Sequence, residues 1–138
     1  MRKAMYFGRP ICFYNTPHDS FLMRRICIEF PEYDIEDSAK EHHQRGYAVF
    51  RETTGRGMNY FLMKVIPLMD AGTFRAFDDG MFGTGVFDEA ESLMNRKKPV
   101  YEIDRSGMLQ TVTKLDPARK LTPEMTRKRL DEIMRQKA

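Results

Sequence analysis

The sequence predicts an α/β domain with a mostly parallel sheet that is covered by helices on both faces. Short apolar runs suited to buried strands alternate along the chain with longer segments whose apolar residues recur at helical spacing. Parallel strands joined by helices need right-handed crossovers, which place the helices on the two faces of the sheet. Because 138 residues is the length of one ordinary domain, we expect residues 1–138 to form a single unit.

Five segments have the composition of strands, and they predict a flavodoxin-like or Rossmann-like parallel five-stranded sheet. The first, AMYFG, is a short apolar run that ends at a glycine and suits a central strand. The segments are 4–8, 33–36, 71–77, 99–103 and 109–115. In such a sheet, ligands bind beyond the carboxyl ends of the strands.

Four segments predict helices. The first covers 19–30 and is entered through Thr16 and Pro17, and an amphipathic helix follows at 58–66. The third carries the apolar stripe from Val86 to Met94, and the last covers about 122–136 with Thr122 as its N-cap. The polar, glycine-punctuated stretch 38–57 has no clear assignment, and a long connection of this kind is usually functional or mobile.

Composition argues against a membrane protein, a disulfide-rich protein and a strong polynucleotide binder. No stretch approaches the ~20 apolar residues of a membrane span, and the N-terminal apolar run is too short for a signal peptide. Cys12 and Cys27 lack metal-ligand spacing, so we expect reduced thiols in a cytoplasmic protein. The net charge is +3, and the cations at 127–129 fit a solvated helix face better than a phosphate-binding surface.

The segment 71–103 contains the most informative pattern: strand, glycine-rich turn, helix and strand. Gly80, Gly83 and Gly85 would permit tight backbone geometry and close approach of a ligand. The helix after them would offer unpaired N–H groups to an anion. Glycines also open many such turns for purely steric reasons.

Two acidic residues, Glu89 and Glu91, border the apolar stripe of that helix on opposite sides. Periodicity does not choose between them, but nearness to the glycine turn favours Glu89, which we place in the first helical turn. There the helix dipole would favour the charged carboxylate, whereas nearby acidic side chains would raise its pKa.

Two segments carry a resemblance to a known family. MYFGRPICFYN at 5–15 and GTGVFDEAESLMNRKKPVYEI at 83–103, with MDAG at 69–72 between them, resemble the nucleoside 2-deoxyribosyltransferase superfamily, which includes deoxynucleoside 5'-monophosphate N-glycosidases. The resemblance spans about residues 3 to 107 and implies that Glu89 is the nucleophile attacking the anomeric carbon of a nucleoside or nucleotide.

Further expectations follow from that resemblance. Tyr6 belongs to the opening strand, Gly8 and Pro10 would shape the floor of the pocket, Phe13 would stack on the base, and Asp79 would hold the sugar hydroxyls. Gly83 and Gly85 would form the glycine turn. The resemblance also implies a homo-oligomer, and neither a cofactor nor a metal is expected.

The chain departs from the family pattern at two positions. Leu62 stands near where the family commonly has an aspartate, and Glu91 replaces the glycine that usually follows the catalytic glutamate by two positions. These departures support the alternative of a nucleotide-binding or sensing module of the same fold without activity.

The remaining candidates are weaker. Ser106, between Arg105 and Gly107, would contact a phosphate if the substrate is a monophosphate, although such a trio is more often a turn. Adjacent His42 and His43 are expected to point in different directions without a third metal ligand, so surface histidines are the favoured interpretation. GRGMNY and GTGVFD lack the third glycine of a dinucleotide fingerprint, which argues against a dehydrogenase.

Overall fold

Five strands form one sheet in the computed structural model, which describes residues 2–137. They are β1 (Lys3–Gly8), β2 (Tyr33–Asp37), β3 (Ala71–Phe74), β4 (Val100–Ile103) and β5 (Leu109–Thr111). Their spatial order is β2-β1-β3-β4-β5, and every neighbouring pair except β4 and β5 is parallel. The predicted flavodoxin-like α/β class is therefore confirmed.

The helices are α1 (Pro17–Glu29), α2 (Glu41–Thr54), α3 (Thr84–Asn95) and α4 (Pro123–Gln136). Thr16 caps α1 by accepting a hydrogen bond from the Asp19 N–H, and Thr122 caps α4 by accepting one from the Met125 N–H. Both caps agree with the expectation from sequence, because a hydroxyl at this position satisfies an otherwise unpaired N–H group. None of the helices between residues 2 and 137 combines the length and apolar character required to cross a bilayer.

The sheet is covered on both faces, as predicted. On one face, Met5 and Phe7 of β1 pack with Leu22 and Ile26 of α1. On the other face lies Tyr6, in a cluster with residues of α3 and of the segment 61–68. This division follows from the strand itself, because successive side chains point to opposite faces.

The stretch 38–57, which has no clear assignment from sequence, contains α2. The helix ends at Gly55, whose φ of 73° suits the left-handed conformation that often follows a helix. Its polar composition hides the helical pattern, and packing supplies the stabilisation: Tyr47 lies beside Phe61, with 6.3 Å between the ring centroids.

The predicted regular helix at 58–66 is also wrong in detail. Residues Phe61–Val65 form a π-helical turn, and Ile66–Leu68 form a 3-10 turn that contains Pro67. Both turns change the spacing of backbone hydrogen bonds, which apolar periodicity alone does not reveal. Phe61 and Val65 of the predicted apolar face are buried, whereas Met58 and Leu68 of the same face are exposed.

Strand β5 runs antiparallel to β4 and is the exception in the mostly parallel sheet. Only residues 104–108 separate the two strands, and Gly107 turns the chain with a φ of 89°. A parallel connection needs a crossover of a dozen or more residues, so the short link enforces a hairpin. The strand is also shorter than the predicted 109–115.

Gly72 and Gly85 differ in what an added methyl group would contact, so alanine substitutions at the two positions test the packing. A Cβ at Gly72 would lie 2.4 Å from Leu93 Cδ1 in the buried core, whereas at Gly85 it would lie 1.9 Å from the terminal methyl of half-exposed Met58. We expect Gly72→Ala to lower the free energy of unfolding by about 1–3 kcal/mol, because Leu93 has nowhere to move.

Gly85→Ala should cost less than Gly72→Ala, or stabilise the protein, because the Met58 methyl can rotate away and alanine favours α3. Urea denaturation of the two variants measures both values. A larger loss for Gly85→Ala would contradict this account of the packing.

Candidate active site

A cavity of about 270 Å³ lies where the carboxyl ends of β1 and β3 meet the surrounding helices. The chain leaves β1 through α1 toward β2 and reaches β3 through α2, so the strand order reverses between β1 and β3. Open α/β sheets bind ligands at this kind of switch point. The cavity is lined by Tyr6, Arg9, Pro10, Ile11, Tyr14, Gln44, Tyr47, Arg51, Met58, Phe61, Phe77, Gly83, Gly85, Val86, Glu89, Thr126 and Leu130.

Glu89 is the one carboxylate among the cavity-lining residues of the described chain. It projects from α3, is only 4% exposed, and accepts a 2.8 Å hydrogen bond at Oε2 from the Tyr6 hydroxyl. Among residues 2–137, no hydrogen-bond partner is found for Oε1, the second oxygen of the carboxyl group. Tyr6 therefore fixes one side of the carboxyl group and leaves the other side free for a ligand.

Burial decides the protonation state of Glu89. Loss of water around the carboxylate raises its pKa from 4.5 to about 8, with a further upward contribution from Asp88, while the Tyr6 hydrogen bond acts in the opposite direction. Glu91, by contrast, is exposed. The preference for Glu89 over Glu91 thus agrees with their burial. Desolvation settles the direction of the pKa shift, which the opposing effects of the helix dipole and the neighbouring acidic groups leave open in the sequence.

The helix begins earlier than the sequence suggests. Because α3 starts at Thr84, Glu89 lies in its second turn rather than its first. The expected anion site at the helix start is also partly occupied, since the Thr84 N–H donates a 3.0 Å hydrogen bond to the Thr126 hydroxyl of α4. The N–H groups at this end are thus less available to a ligand than the glycine pattern implies.

The three glycines of the turn have different roles. Gly80 needs its conformational freedom, because its φ is 87°, whereas Gly83 has an ordinary φ of −62°. At Gly83 the missing side chain makes room for Thr126, since a Cβ would lie 3.1 Å from Thr126 Cγ2. Gly83 and Gly85 do line the cavity, so part of the expected close approach remains available.

Arg9 lies at the carboxyl end of β1 with its charge fully compensated. Its guanidinium is buried and pairs with Asp19 of α1 at 2.7 Å and with Asp37 of β2 at 2.6 Å. It also stacks over the Tyr14 ring, with 4.7 Å from Cζ to the ring centroid. Two carboxylates neutralise this cation, so Arg9 serves as a rigid wall of the cavity and not as a free positive charge.

The structure brings five of the predicted site residues together at the cavity: Tyr6, Pro10, Gly83, Gly85 and Glu89. Gly8 lies just behind it, where a Cβ would be 2.7 Å from Phe74 Cδ1 and 2.9 Å from Tyr6 Cε2. Its lack of a side chain therefore lets the Tyr6 ring settle beneath the cavity.

Three other predicted residues lie away from the cavity. One face of the Phe13 ring is covered by Arg75, whose Cζ is 3.6 Å from the ring centroid. Asp79 pairs with Arg129 at 2.9 Å, and Ser106 donates a 2.6 Å hydrogen bond to Asp104 in the hairpin before β5. Local contacts thus occupy the groups that were expected to stack on a base, bind a sugar or bind a phosphate.

Sequence reasoning missed the cavity walls that distant elements supply. Helix α2 contributes Gln44, Tyr47 and Arg51, and α4 contributes Thr126 and Leu130. The helical spacing of the three α2 residues was present in the sequence, but the stretch carried no clear apolar stripe. For α4 no local signal exists, because its position depends on packing of Leu130 and Ile133 against Phe77 and Leu121.

The two adjacent histidines also differ from expectation. His43 is buried, and its ring centroid lies 4.0 Å from that of His42. Glu36 at the end of β2 meets both, with Oε1 at 2.5 Å from His43 Nε2 and 3.8 Å from His42 Nε2. The prediction of diverging surface histidines without a third partner is therefore wrong, because α2 begins immediately beside the end of β2.

Comparison with models of known protein families, with curated proteins and with solved structures gives no match to this chain.

The raised pKa of Glu89 generates a prediction about stability. Between pH 4.5 and about 8 the folded protein holds a proton that the unfolded chain releases, so stability is present at low pH and falls as pH rises through this window. The loss is on the order of 5 kcal/mol at about 1.4 kcal/mol per pH unit. Glu89→Gln cannot ionise and should remove this pH dependence.

Urea denaturation between pH 5 and pH 9 measures the effect. The variant should be close to wild type at pH 5 and more stable at pH 9. Glu91→Gln, an exposed change on the same helix, is the control and should keep the wild-type profile. Parallel profiles for wild type and Glu89→Gln would show that Glu89 ionises normally.

Proposed function

We propose that this protein cleaves or transfers the N-glycosidic bond of a nucleoside or nucleotide, with Glu89 as the nucleophile. The observation that carries the proposal is a single carboxyl group that is buried against Tyr6 and has one oxygen free at a cavity on the sheet's switch point. The resemblance of residues 5–15 and 83–103 to nucleoside 2-deoxyribosyltransferases supports the same chemistry.

In this mechanism Glu89 Oε1 attacks the anomeric carbon as the bond from that carbon to the base nitrogen breaks. The bonding electron pair leaves with the base, which takes up a proton, and a glycosyl ester on Glu89 remains. Water or the N–H nitrogen of a second base then attacks the same carbon, gives up a proton that replaces the one taken by the first base, and releases the carboxylate. Hydrolysis and transfer differ only in which acceptor enters the cavity.

Two tyrosines assist in this proposal. Tyr6 positions the carboxyl group through its hydrogen bond to Oε2. Tyr14 lines the cavity, and burial raises its pKa to about 12, so at neutral pH its hydroxyl keeps the proton that it can share with a departing base. Its hydroxyl lies 3.0 Å from Ser38 Oγ, so in this role the Tyr14 O–H would turn from Ser38 to the leaving group.

The cavity walls favour a flat, partly apolar ligand with an anionic end. Tyr47, Phe61 and Phe77 supply aromatic surface. Arg51 also lines the cavity, and within residues 2–137 it has no carboxylate at ion-pair distance, in contrast to Arg9. A free guanidinium beside an aromatic wall suits a nucleoside 5'-phosphate better than an uncharged nucleoside.

A release assay tests the proposal. The protein is incubated with deoxynucleosides and their 5'-monophosphates, and free base is measured by chromatography. We expect release from at least one substrate, and a loss of at least ~100-fold in kcat for Glu89→Gln, because an amide is a far weaker nucleophile than a carboxylate. Glu91→Gln should retain wild-type activity. Absence of release, or full activity in Glu89→Gln, would refute the mechanism.

The pH dependence of that activity is a separate prediction. A nucleophilic carboxylate must be deprotonated, and the pKa of Glu89 is about 8. We therefore expect kcat/KM to rise about 10-fold per pH unit from pH 6 to pH 8 and to level off above. Initial rates at low substrate concentration measure this profile, and a profile that falls over the same range would instead indicate that Glu89 acts as an acid.

The same pKa favours one alternative, a nucleotide-binding module without turnover. Near neutral pH the protonated Glu89 is a hydrogen-bond donor and a poor nucleophile, which suits binding. This alternative predicts thermal stabilisation by a nucleotide with no base released, and it also predicts that Glu89→Gln retains the stabilisation.

A further inference from the structure

We propose that Glu36, His42 and His43 form a binding site for a divalent transition-metal ion of the zinc class. One ligand atom from each residue lies within 4.8 Å of the others. Imidazole nitrogens together with one carboxylate oxygen are a donor set that Zn²⁺ accepts, with a fourth position open to water or another ligand. The proposal is independent of the function assigned to the cavity.

The separations between the donor atoms fit this ion. A tetrahedral zinc with bonds of about 2.0–2.2 Å keeps its ligand atoms roughly 3.3–3.5 Å apart. Glu36 Oε1 lies 2.5 Å from His43 Nε2 and 3.8 Å from His42 Nε2, so the two distances bracket that value. The third separation, between the ring nitrogens of His42 and His43, is no more than 4.8 Å.

A supporting hydrogen bond already orients His43. Its Nδ1 lies 2.8 Å from the Tyr60 hydroxyl, which can either donate to or accept from the ring. With a metal on Nε2, the Nδ1–H would donate to Tyr60, which is the outer arrangement typical of metal-binding histidines. Gly46 permits this contact, because a Cβ there would lie 2.3 Å from Tyr60 Cε1.

Charge also favours a cation at this position. Glu36 is about one-quarter exposed, and in the described part of the chain its ion-pair partners are the two imidazoles, with neither lysine nor arginine within reach. A divalent ion would compensate a carboxylate that is partly removed from water. The half-exposed His42 ring leaves the solvent side of the cluster open to the ion and to a further ligand.

Binding would have a structural consequence for the cavity. Glu36 belongs to β2 and both histidines belong to the first turn of α2, so one ion would join these two elements. The same helix carries Gln44, Tyr47 and Arg51 to the cavity. A bound metal would therefore fix the wall that the nucleotide-sized cavity shares with α2.

Metal titration of the full chain tests the site. After treatment with a chelator, the protein is titrated with zinc sulfate against a chromophoric zinc indicator, and Co²⁺ is added separately to record its ligand-field absorption bands. We expect one equivalent of Zn²⁺ per chain and a rise in thermal stability with zinc. His42→Ala should weaken zinc binding at least 10-fold, and because more than half of the His42 side chain is exposed, the variant should fold as wild type does.

Controls separate this cluster from other zinc ligands. His18→Ala and Cys27→Ser alter a histidine and an exposed thiol outside the cluster, and both should bind zinc as wild type does. Tyr60→Phe should weaken binding about 10-fold or more through loss of the outer hydrogen bond. Unchanged binding in His42→Ala, dependence on Cys27, or the absence of one-to-one binding would each overturn the proposal.

Discussion

The buried ion pairs of Arg9 join the carboxyl end of β1 to α1 and β2, and the cavity beside these elements depends on them. From the end of β1, one guanidinium holds Asp19 of α1 and Asp37 of β2, and it donates a further hydrogen bond to the Phe7 carbonyl. Removing the Arg9 side chain would leave Asp19 buried without its cation, which costs several kcal/mol. The helix, the strand and the cavity wall that meet there are thus fixed together.

Charge compensation at Arg9 contrasts with the isolation of Glu89. Arg9 retains its charge because two carboxylates surround it, and they raise its pKa although burial acts in the opposite direction. Within residues 2–137 Glu89 has the Tyr6 hydroxyl as its one hydrogen-bond partner, and its pKa rises because water is excluded. A carboxyl group without a cation is costly to the fold, and such groups are typical of sites that bind or transform a ligand.

Two helices that lie far from Glu89 in sequence complete its surroundings. Helix α2 encloses the cavity on one side, and the cluster of Glu36, His42 and His43 lies at the start of this helix. Helix α4 encloses it on another, and Thr126 there pairs with the first N–H of α3. The proposed chemistry therefore depends on elements whose positions are set by tertiary packing and not by the motif around Glu89.

Local sequence patterns predicted the α/β class, the five strand segments and helices α1, α3 and α4, and nearness to the glycine turn favoured Glu89 over Glu91. These features are local, because the periodicity of a strand or helix, a proline in the first helical turn and a hydroxyl N-cap each depend on a few neighbouring residues. Thr16 and Thr122 are examples of such caps. Tertiary contacts decided the antiparallel direction of β5 and the formation of α2. They also pair Phe13 with Arg75 and Asp79 with Arg129, away from the cavity, and place His42 beside Glu36. These outcomes depend on contacts between distant segments and on the length of connections, and desolvation of Glu89 depends on every element that surrounds it.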